Sequence, residues 1–262
     1  MTHPTIFITG AGKGIGKATA LLFAQRGWFV GLSDINAAAL KAVAAEIGEA
    51  RCSTHLMDVR DIAQVRTAMA DFGERTGQRM NALFNNAGIL IPGGFEQMPL
   101  EQHHDLIDVN LTGIINVTHC ALPLLKNTPK SAVINMCSAS AIYGNPELTT
   151  YAATKSAVKS LTEGMNMLFR KHDTHVADLS PAYVNTDLVT DVKQDMELPD
   201  RDVKLGAEDI ARAAWKAVHS KKVHHYIGFD SNFFRFCKWL LPTAVLEGIL
   251  KATYYKRALA RN

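Results

Sequence analysis

A glycine-rich turn between an apolar strand and a helix is the feature that most constrains the fold of this chain. Residues 4–9, PTIFIT, predict a buried strand, and the following GAGKGIG leads into a helix with one apolar face. Glycines let the backbone turn sharply and approach a pyrophosphate, while a helix N-terminus offers unpaired N–H groups. The alternative is a glycine-rich helix cap that binds nothing. A strand before the glycines and a helix after them favour the phosphate site.

Strand and helix patterns alternate along the rest of the chain. Further strands are predicted at residues 28–33, 51–57, 82–85, 132–137, 175–179 and 223–228. Repeated βα units make the strands parallel and place helices on both sides of them. The sequence therefore predicts an α/β fold, a Rossmann-type doubly wound parallel sheet of about seven strands with helices on both faces.

The composition limits the classes of protein to which this chain can belong. The 262 residues are 47% hydrophobic and 20% charged, which suits one large domain with a substantial core. Four scattered cysteines indicate reduced thiols, and no signal peptide is apparent, so we expect a cytoplasmic protein. A net charge of +3 is too small to indicate nucleic-acid binding. The adjacent pairs His103–His104 and His224–His225 point apart on a helix or strand, so no metal site is predicted.

Tyr151 and Lys155 are four residues apart and would share one face of a helix. The pKa of an unperturbed phenol is about 10, too high for efficient proton exchange at neutral pH, and a neighbouring ammonium favours the phenolate. Ser138 follows a predicted buried strand, and its hydroxyl can hold a substrate oxygen. Taken alone, Tyr-x-x-x-Lys is a common solvated helix pair, so this interpretation depends on the other motifs.

Five segments in a fixed order resemble the short-chain dehydrogenase/reductase family. They are Thr9–Gly16 (TGAGKGIG), Asn85–Gly88 (NNAG), Asn110, Ser138 and Tyr151–Lys155 (YAATK), within a resemblance that covers nearly all of residues 4–230. The resemblance implies a nicotinamide cofactor, a homodimer or homotetramer, and the catalytic residues Asn110, Ser138, Tyr151 and Lys155. Residues 1–230 are then the dinucleotide-binding and catalytic domain, and residues 231–262 an apolar and basic helical extension of it.

The resemblance also implies where the cofactor binds. Its contacts would be Gly10, Gly12, Lys13, Gly14, Ile15, Gly16, Asp34, Asp58, Val59, Asn86, Ala87, Gly88, Tyr151, Lys155, Pro181, Val184 and Thr186. A carboxylate at Asp34 would accept both ribose hydroxyls and repel a 2′-phosphate, whereas Lys13 resembles NADP-preferring relatives. We therefore expect NAD, with NADP as the alternative. The other role considered for Asp34 is to cap the helix predicted over residues 36–47.

The expected activity is the interconversion of an alcohol and a carbonyl with hydride transfer to or from NAD(P). Apolar residues near the motifs indicate a hydrophobic substrate pocket; they are Ala139, Ile142, Tyr143, Leu148, Tyr183 and Leu188. Residues 187–205 are predicted to form a mobile lid over it. The alternatives are a dinucleotide-binding regulator without turnover, or a membrane-surface enzyme acting on lipid-like substrates.

The C-terminal extension concentrates positive charge. Residues 231–262 contain six basic side chains and one acidic side chain, with apolar sets before and after Pro242. No apolar run approaches the ~20 residues needed to span a bilayer. A helix with an apolar face and a basic margin can lie on a membrane surface, which predicts peripheral membrane contact through the tail. The alternative is that this face packs over the substrate pocket or a neighbouring subunit.

Overall fold

The computed structural model describes residues 3–144, 146–182, 184–185, 205–242 and 244–248. Its centre is a seven-stranded parallel sheet in the order β3-β2-β1-β4-β5-β6-β9, which confirms the predicted doubly wound sheet. A second, small sheet pairs β7 with β8. The strands are β1 Thr5–Thr9, β2 Phe29–Asp34, β3 Cys52–Leu56, β4 Ala82–Asn85, β5 Ser131–Met136, β6 Thr174–Pro181, β7 Val184–Asn185, β8 Leu205–Gly206 and β9 His224–Ile227.

Helices cover both faces of the large sheet. They are α1 Gly14–Gln25, α2 Ala37–Ile47, α3 Ile62–Thr76, α4 Leu100–Ile107, α5 Gly113–Lys126, α6 Thr149–Phe169, α7 Ala207–Val218 and α8 Phe229–Leu240. One apolar core lies between the sheet and α1, α2 and α7, and the other between the sheet and α3, α5 and α6. Within β1, Ile6 and Ile8 face the first core and Phe7 faces the second. Burial on both faces explains why the strands read as continuous apolar runs.

The apolar pattern predicts one helix over residues 99–126, and Asn110, an amide among apolar residues, suits a local irregularity within it. The structure interrupts this helix in its middle. A π-helical turn, Asp108–Thr112, separates α4 from α5 and contains Asn110. This confirms the expected irregularity at that residue. The Asn110 side chain is fully buried and bonds the Ile89 backbone, donating to its carbonyl and accepting from its N–H at 2.9 Å each. Such bonds compensate an amide that fits poorly into an apolar helix.

Buried amides fix α5 and α6 to the sheet. Asn85 and Asn135 are paired on neighbouring strands, and Nδ2 of Asn85 donates to Asn135 Oδ1 at 2.9 Å. The same amide donates to Thr118 of α5, and Nδ2 of Asn135 donates to Thr162 of α6, each at 2.9 Å. Because α6 carries Tyr151 and Lys155, this chain of bonds also sets the position of those two side chains.

Candidate active site

Tyr151 and Lys155 lie on the first two turns of α6. The Nζ atom of Lys155 is 5.6 Å from the centre of the Tyr151 ring, and it donates to the carbonyl oxygen of Met136 at 3.0 Å. Lys155 is 3% exposed, whereas Tyr151 is half-buried. The predicted pair is therefore formed, with the charge inside the protein and the phenol at its surface.

Burial lowers the pKa of Lys155 to about 8, a shift that a thiolate at Cys137 would oppose. Burial also raises the pKa of Cys137 to about 11, however, so the thiol is uncharged at neutral pH. In the part of the chain that the structure describes, no carboxylate forms a salt bridge with Lys155. The ammonium is thus a buried cation directed at the site, and an anion or a set of hydroxyls there would be stabilised by it.

Gly88 lies against two of the predicted catalytic side chains. A Cβ atom at this position would be 3.0 Å from Oδ1 of Asn110 and 3.7 Å from Nζ of Lys155. A side chain here would press on Asn110, so glycine suits the close approach of the segment after β4. The structure thus brings Gly88, Asn110 and Lys155 together.

Ser138 follows the C-terminal end of β5 by two residues. Its Oγ accepts from the Ser140 N–H at 3.1 Å and so caps the 3₁₀ turn Ala139–Ala141. A hydroxyl that accepts one bond can still donate another. Ser138 is held as a fixed hydroxyl at the end of the strand, where parallel sheets carry their sites.

A cavity of about 560 Å³ runs along the C-terminal ends of the strands. Most of the predicted cofactor contacts line it: Gly10, Gly12, Lys13, Gly14, Ile15, Asp34, Asp58, Val59, Asn86, Ala87, Gly88, Tyr151 and Lys155. Gly16, Asn110, Ser138, Pro181 and Val184 do not line it. Thr186 lies outside the described residues, as do Tyr183 and Leu188.

The glycine turn is built against Asp34. Oδ2 of Asp34 accepts from the Gly12 N–H at 2.8 Å, and Oδ1 accepts from the Asn36 N–H at 3.0 Å. A Cβ atom at Gly12 would be 2.8 Å from Asp34 Oδ2. The carboxylate is therefore oriented by backbone donors while it faces the cavity. The capping role considered for Asp34 is wrong, because the side chain of Asn36 caps α2 by accepting from the Ala39 N–H.

The end of β4 is fixed to the glycine turn. Nδ2 of Asn86 donates to the carbonyl oxygens of Thr9 and Gly10 at 3.0 and 3.1 Å. The Thr9 hydroxyl in turn accepts from the N–H groups of Asn86 and Ala87, both at 3.0 Å. Gly16 belongs to this packing, because a Cβ atom there would overlap the Gly10 carbonyl. These bonds fix the backbone of the glycine turn and of the segment after β4, which line the cavity, in one conformation.

Arg60 also lines the cavity, although the sequence does not indicate it as a site residue. Its guanidinium bonds Asp58 through Nη2 at 2.8 Å and Asp105 of α4 through Nη1 at 3.0 Å. The hydrogen bonds from Arg60 hold the pKa of the Asp58 carboxyl below its usual range. The opposite charges of Asp58 and Arg60, two residues apart, indicate their ion pair from the sequence. No local feature of the sequence indicates the contact of Arg60 with Asp105. The other unpredicted lining residues are Ile35, Asn36, Ala39, Met57, Ile89, Asp105, Val109 and Met136.

Known proteins match this chain in sequence and in structure. The model of the family described as short chain dehydrogenase matches residues 4–197. The 3-oxoacyl-[acyl-carrier-protein] reductase FabG of Thermotoga maritima is 33% identical over 181 residues, 68% of this chain and 73% of that protein. Cyclohexanol dehydrogenase of an Acinetobacter species is 32% identical over 194 residues, 71% of this chain and 75% of that protein. A solved structure of 3-ketoacyl-(acyl-carrier-protein) reductase from Brucella melitensis, complexed with NADH, superposes with a TM-score of 0.76 at 28% identity, over 86% of this chain and 96% of that chain.

Proposed function

Because the chain belongs to the short-chain dehydrogenase/reductase family, we propose that it is an NAD(P)-dependent oxidoreductase that interconverts a hydrophobic alcohol and its carbonyl, with NAD favoured. The observation that carries this proposal is the buried ammonium of Lys155 beside the Tyr151 ring, at a cavity that begins at the glycine turn. A protein that only sensed a dinucleotide would not need this pair.

The residues along the cavity fit a nicotinamide dinucleotide. Asp34 has a carboxylate, already oriented by Gly12 and Asn36, that can accept from the ribose hydroxyls. The N-terminus of α1 is directed at the same cavity through Gly14 and Ile15 and suits a pyrophosphate. Gly12 and Gly88 line the cavity, and their lack of a side chain lets Asp34 and Asn110 pack directly against the backbone there. When bound, the dinucleotide supplies or accepts the hydride.

In the proposed mechanism, Tyr151 exchanges a proton with the substrate oxygen. The Lys155 ammonium stabilises the phenolate left on Tyr151, and a buried charge acts more strongly than one in water. Ser138 donates a hydrogen bond to the same substrate oxygen. Both polar atoms of the Asn110 side chain are occupied by Ile89, so a water that relays the proton would bind a backbone carbonyl of the π-helical turn.

Apolar surroundings support a hydrophobic substrate. Ala139 and Ile142, which follow Ser138, pack in one cluster with Phe234 and Cys237 of α8. Leu148, just before α6, is also buried. Among the relatives, the cyclohexanol dehydrogenase is named for a cyclic apolar alcohol. Aliphatic, alicyclic and aromatic alcohols and their carbonyls are therefore the first substrates to assay.

The test is a panel of such alcohols and carbonyls, each assayed with NAD(H) and NADP(H) by nicotinamide absorbance. We expect turnover with at least one pair and higher kcat/KM with NAD(H). Tyr151→Phe is the matched control and should bind the dinucleotide without turnover. Tight dinucleotide binding with no turnover across the panel would instead support a regulator.

The proposal includes a homodimer or homotetramer. Apolar side chains are exposed on α5 and α6, at Ile115, Met167 and Leu168. Helix faces of this kind bury their apolar surface against another copy in oligomers. Light scattering coupled to gel filtration should give a multiple of the 28.7 kDa chain mass, and Met167→Glu should shift it towards the monomer. A monomeric mass for the unaltered protein would contradict this part.

A further inference from the structure

Helix α8 has two apolar faces, and among the described residues only one of them packs against the rest of the fold. Its inner face places Phe234 and Cys237 in the cluster with Ala139 and Ile142, and the rings of Phe234 and Tyr143 are 4.9 Å apart. The outer face is defined here as five exposed side chains: Phe229, Phe233, Phe236, Trp239 and Leu240. The inner contacts fix the helix on the protein, so the outer face is presented on a rigid support.

The outer face is unusually apolar for a surface. Phe229 and Trp239 are 81% and 80% exposed, and the other three residues are 44% to 57% exposed. Phe229, Phe233, Phe236 and Leu240 recur at helical spacing, so they form one continuous surface. The rings of Phe229 and Phe233 stack with centres 5.9 Å apart. Contiguous apolar patches rimmed by polar residues mark interaction sites.

Positive charge lies beside this surface. Arg235 and Lys238 are exposed on α8 itself, and Lys221 and Lys222 are exposed just before β9. The acidic residues of this segment are Asp230 and Glu247. Residues 249–262, which follow the described part of the chain, add Lys251, Lys256, Arg257 and Arg261 without an acidic side chain. A membrane surface has acyl chains below its headgroups, and anionic headgroups attract cations. Such a surface therefore suits the aromatic, aliphatic and cationic side chains of this region together.

We propose that the outer face of α8 docks the protein on an anionic lipid membrane. Trp239 and the phenylalanines enter the boundary between headgroups and acyl chains, and Arg235, one helical turn before Trp239, faces the phosphates. The contact is peripheral, since none of the described helices combines the length and the apolar character needed to cross a bilayer.

A second copy of the chain fits this face less well. A two-fold contact brings the same surface of both copies together, so the basic margin that contains Arg235 would be present twice in one contact. Like charges that approach in this way oppose association, whereas an anionic membrane attracts the same residues.

Docking through α8 also orients the active site. The inner face of the helix covers the segment that follows Ser138, so the substrate side of the site would lie close to the lipid. This consequence rests on the proposed function, because it requires a substrate at Ser138. The docking itself does not depend on catalysis, and its test needs no turnover.

The experiment is co-sedimentation of the full chain with vesicles of phosphatidylcholine alone or of phosphatidylcholine with phosphatidylglycerol. We expect binding to the anionic vesicles that weakens with salt. The double variant Phe236→Ser/Trp239→Ser should reduce the bound fraction at least about tenfold, and Arg235→Gln/Lys238→Gln should reduce it on anionic vesicles. Leu56→Ser, at an exposed apolar residue on β3 away from α8, is the matched control and should bind like the unaltered protein. Circular dichroism of each variant checks the fold.

Tryptophan fluorescence supplies a second readout. Trp28 is buried and Trp215 is partly buried. The difference in emission between the unaltered protein and Trp239→Phe therefore comes from Trp239 and reports the outer face. We expect Trp239 to emit at the long wavelength of an indole in water, and this emission to shift to the blue when anionic vesicles are added. No sedimentation of the unaltered protein, or equal sedimentation of the Phe236→Ser/Trp239→Ser variant, would overturn the proposal. A blue emission before vesicles are added, or a loss of oligomeric mass in that variant, would assign the face to the chain itself or to a second copy and also overturn it.

Discussion

The Nζ atom of Lys155 lies 5.6 Å from the centre of the Tyr151 ring and is held there by the carbonyl oxygen of Met136. The ammonium is almost completely buried, so its charge is poorly screened and acts on the adjacent phenol. Holding a cation in this position opposes folding but supports proton transfer. Removing the phenol hydroxyl affects only proton transfer, whereas removing the ammonium affects both.

Tyr151→Phe removes the exchangeable proton and keeps the ring. We expect kcat on an established substrate to fall by about 10² to 10⁴, the usual contribution of a positioned acid or base. The dissociation constant for the dinucleotide should stay within about twofold of its normal value, because the glycine turn and Asp34 are unaltered. A variant with near-normal kcat would show that another group transfers the proton.

Lys155→Met should remove activity and yet stabilise the ligand-free protein at neutral pH. The folded-state pKa of Lys155 is about 8, below the unfolded value of about 10.4, so the unfolded chain binds more protons between these values. The ammonium therefore destabilises the fold fully below pH 8, and that destabilisation is relieved as pH rises towards about 10.4. The pKa shift corresponds to a gain of at most about 3 kcal/mol in the free energy of unfolding of Lys155→Met. Loss of the hydrogen bond to Met136 reduces this gain by about 1 kcal/mol.

Urea unfolding at several pH values checks this expectation. The stability advantage of Lys155→Met should be largest near pH 7 and shrink above pH 8, while the exposed Lys41→Met serves as the control and should show no such trend. A Lys155→Met protein that is less stable than the unaltered one at pH 7 would mean that packing and hydrogen bonding at this site outweigh the buried charge.

Asp34→Asn tests the choice of cofactor. An asparagine oxygen can still accept from the Gly12 N–H, so the turn keeps its support, but the negative charge is lost. Removing a like charge from the site of a 2′-phosphate should lower the ratio of kcat/KM for NAD over NADP roughly tenfold or more. Lys13→Gln should change the ratio in the opposite direction, because it removes an attraction for that phosphate. An unchanged ratio in Asp34→Asn would mean that the carboxylate does not meet the ribose.

The sequence predicted the parts of this protein that depend on local signals. The strands and the glycine turn follow from apolar runs and glycine spacing, and a local irregularity of the helix at Asn110 follows from an asparagine among apolar residues. The contact of Arg60 with Asp105 was not predictable, because 45 residues separate them and the pairing depends on how α4 is placed. The sequence left open whether Asp34 also caps α2; in the structure Asn36 caps this helix, and Asp34 accepts from the Gly12 and Asn36 N–H groups. The two faces of α8 could be separated only once its packing on Ala139 was known.

A buried carboxylate behind the active site leads to the last prediction. Asp178 of β6 is fully buried, and its Oδ2 lies 2.5 Å from Nδ1 of His224 on the neighbouring strand β9. Oδ1 accepts from the Ser180 hydroxyl at 3.0 Å, and Nε2 of His224 lies 3.1 Å from the exposed Glu163 of α6. His224→Leu removes the imidazole partner of the buried Asp178 side chain, and a buried polar group that loses its hydrogen-bond partner destabilises a fold by about 1 to 3 kcal/mol, more where the group is charged. Urea unfolding measures this loss.

Two further variants show whether the charge on Asp178 is the cause. Glu163→Gln removes the exposed partner only and should change the free energy of unfolding by less than about 1 kcal/mol. Adding Asp178→Asn to His224→Leu should restore part of the lost stability, because a neutral amide has a smaller desolvation cost than a carboxylate. If the double variant is no more stable than His224→Leu, the histidine stabilises β9 through packing rather than through its pairing with a buried anion.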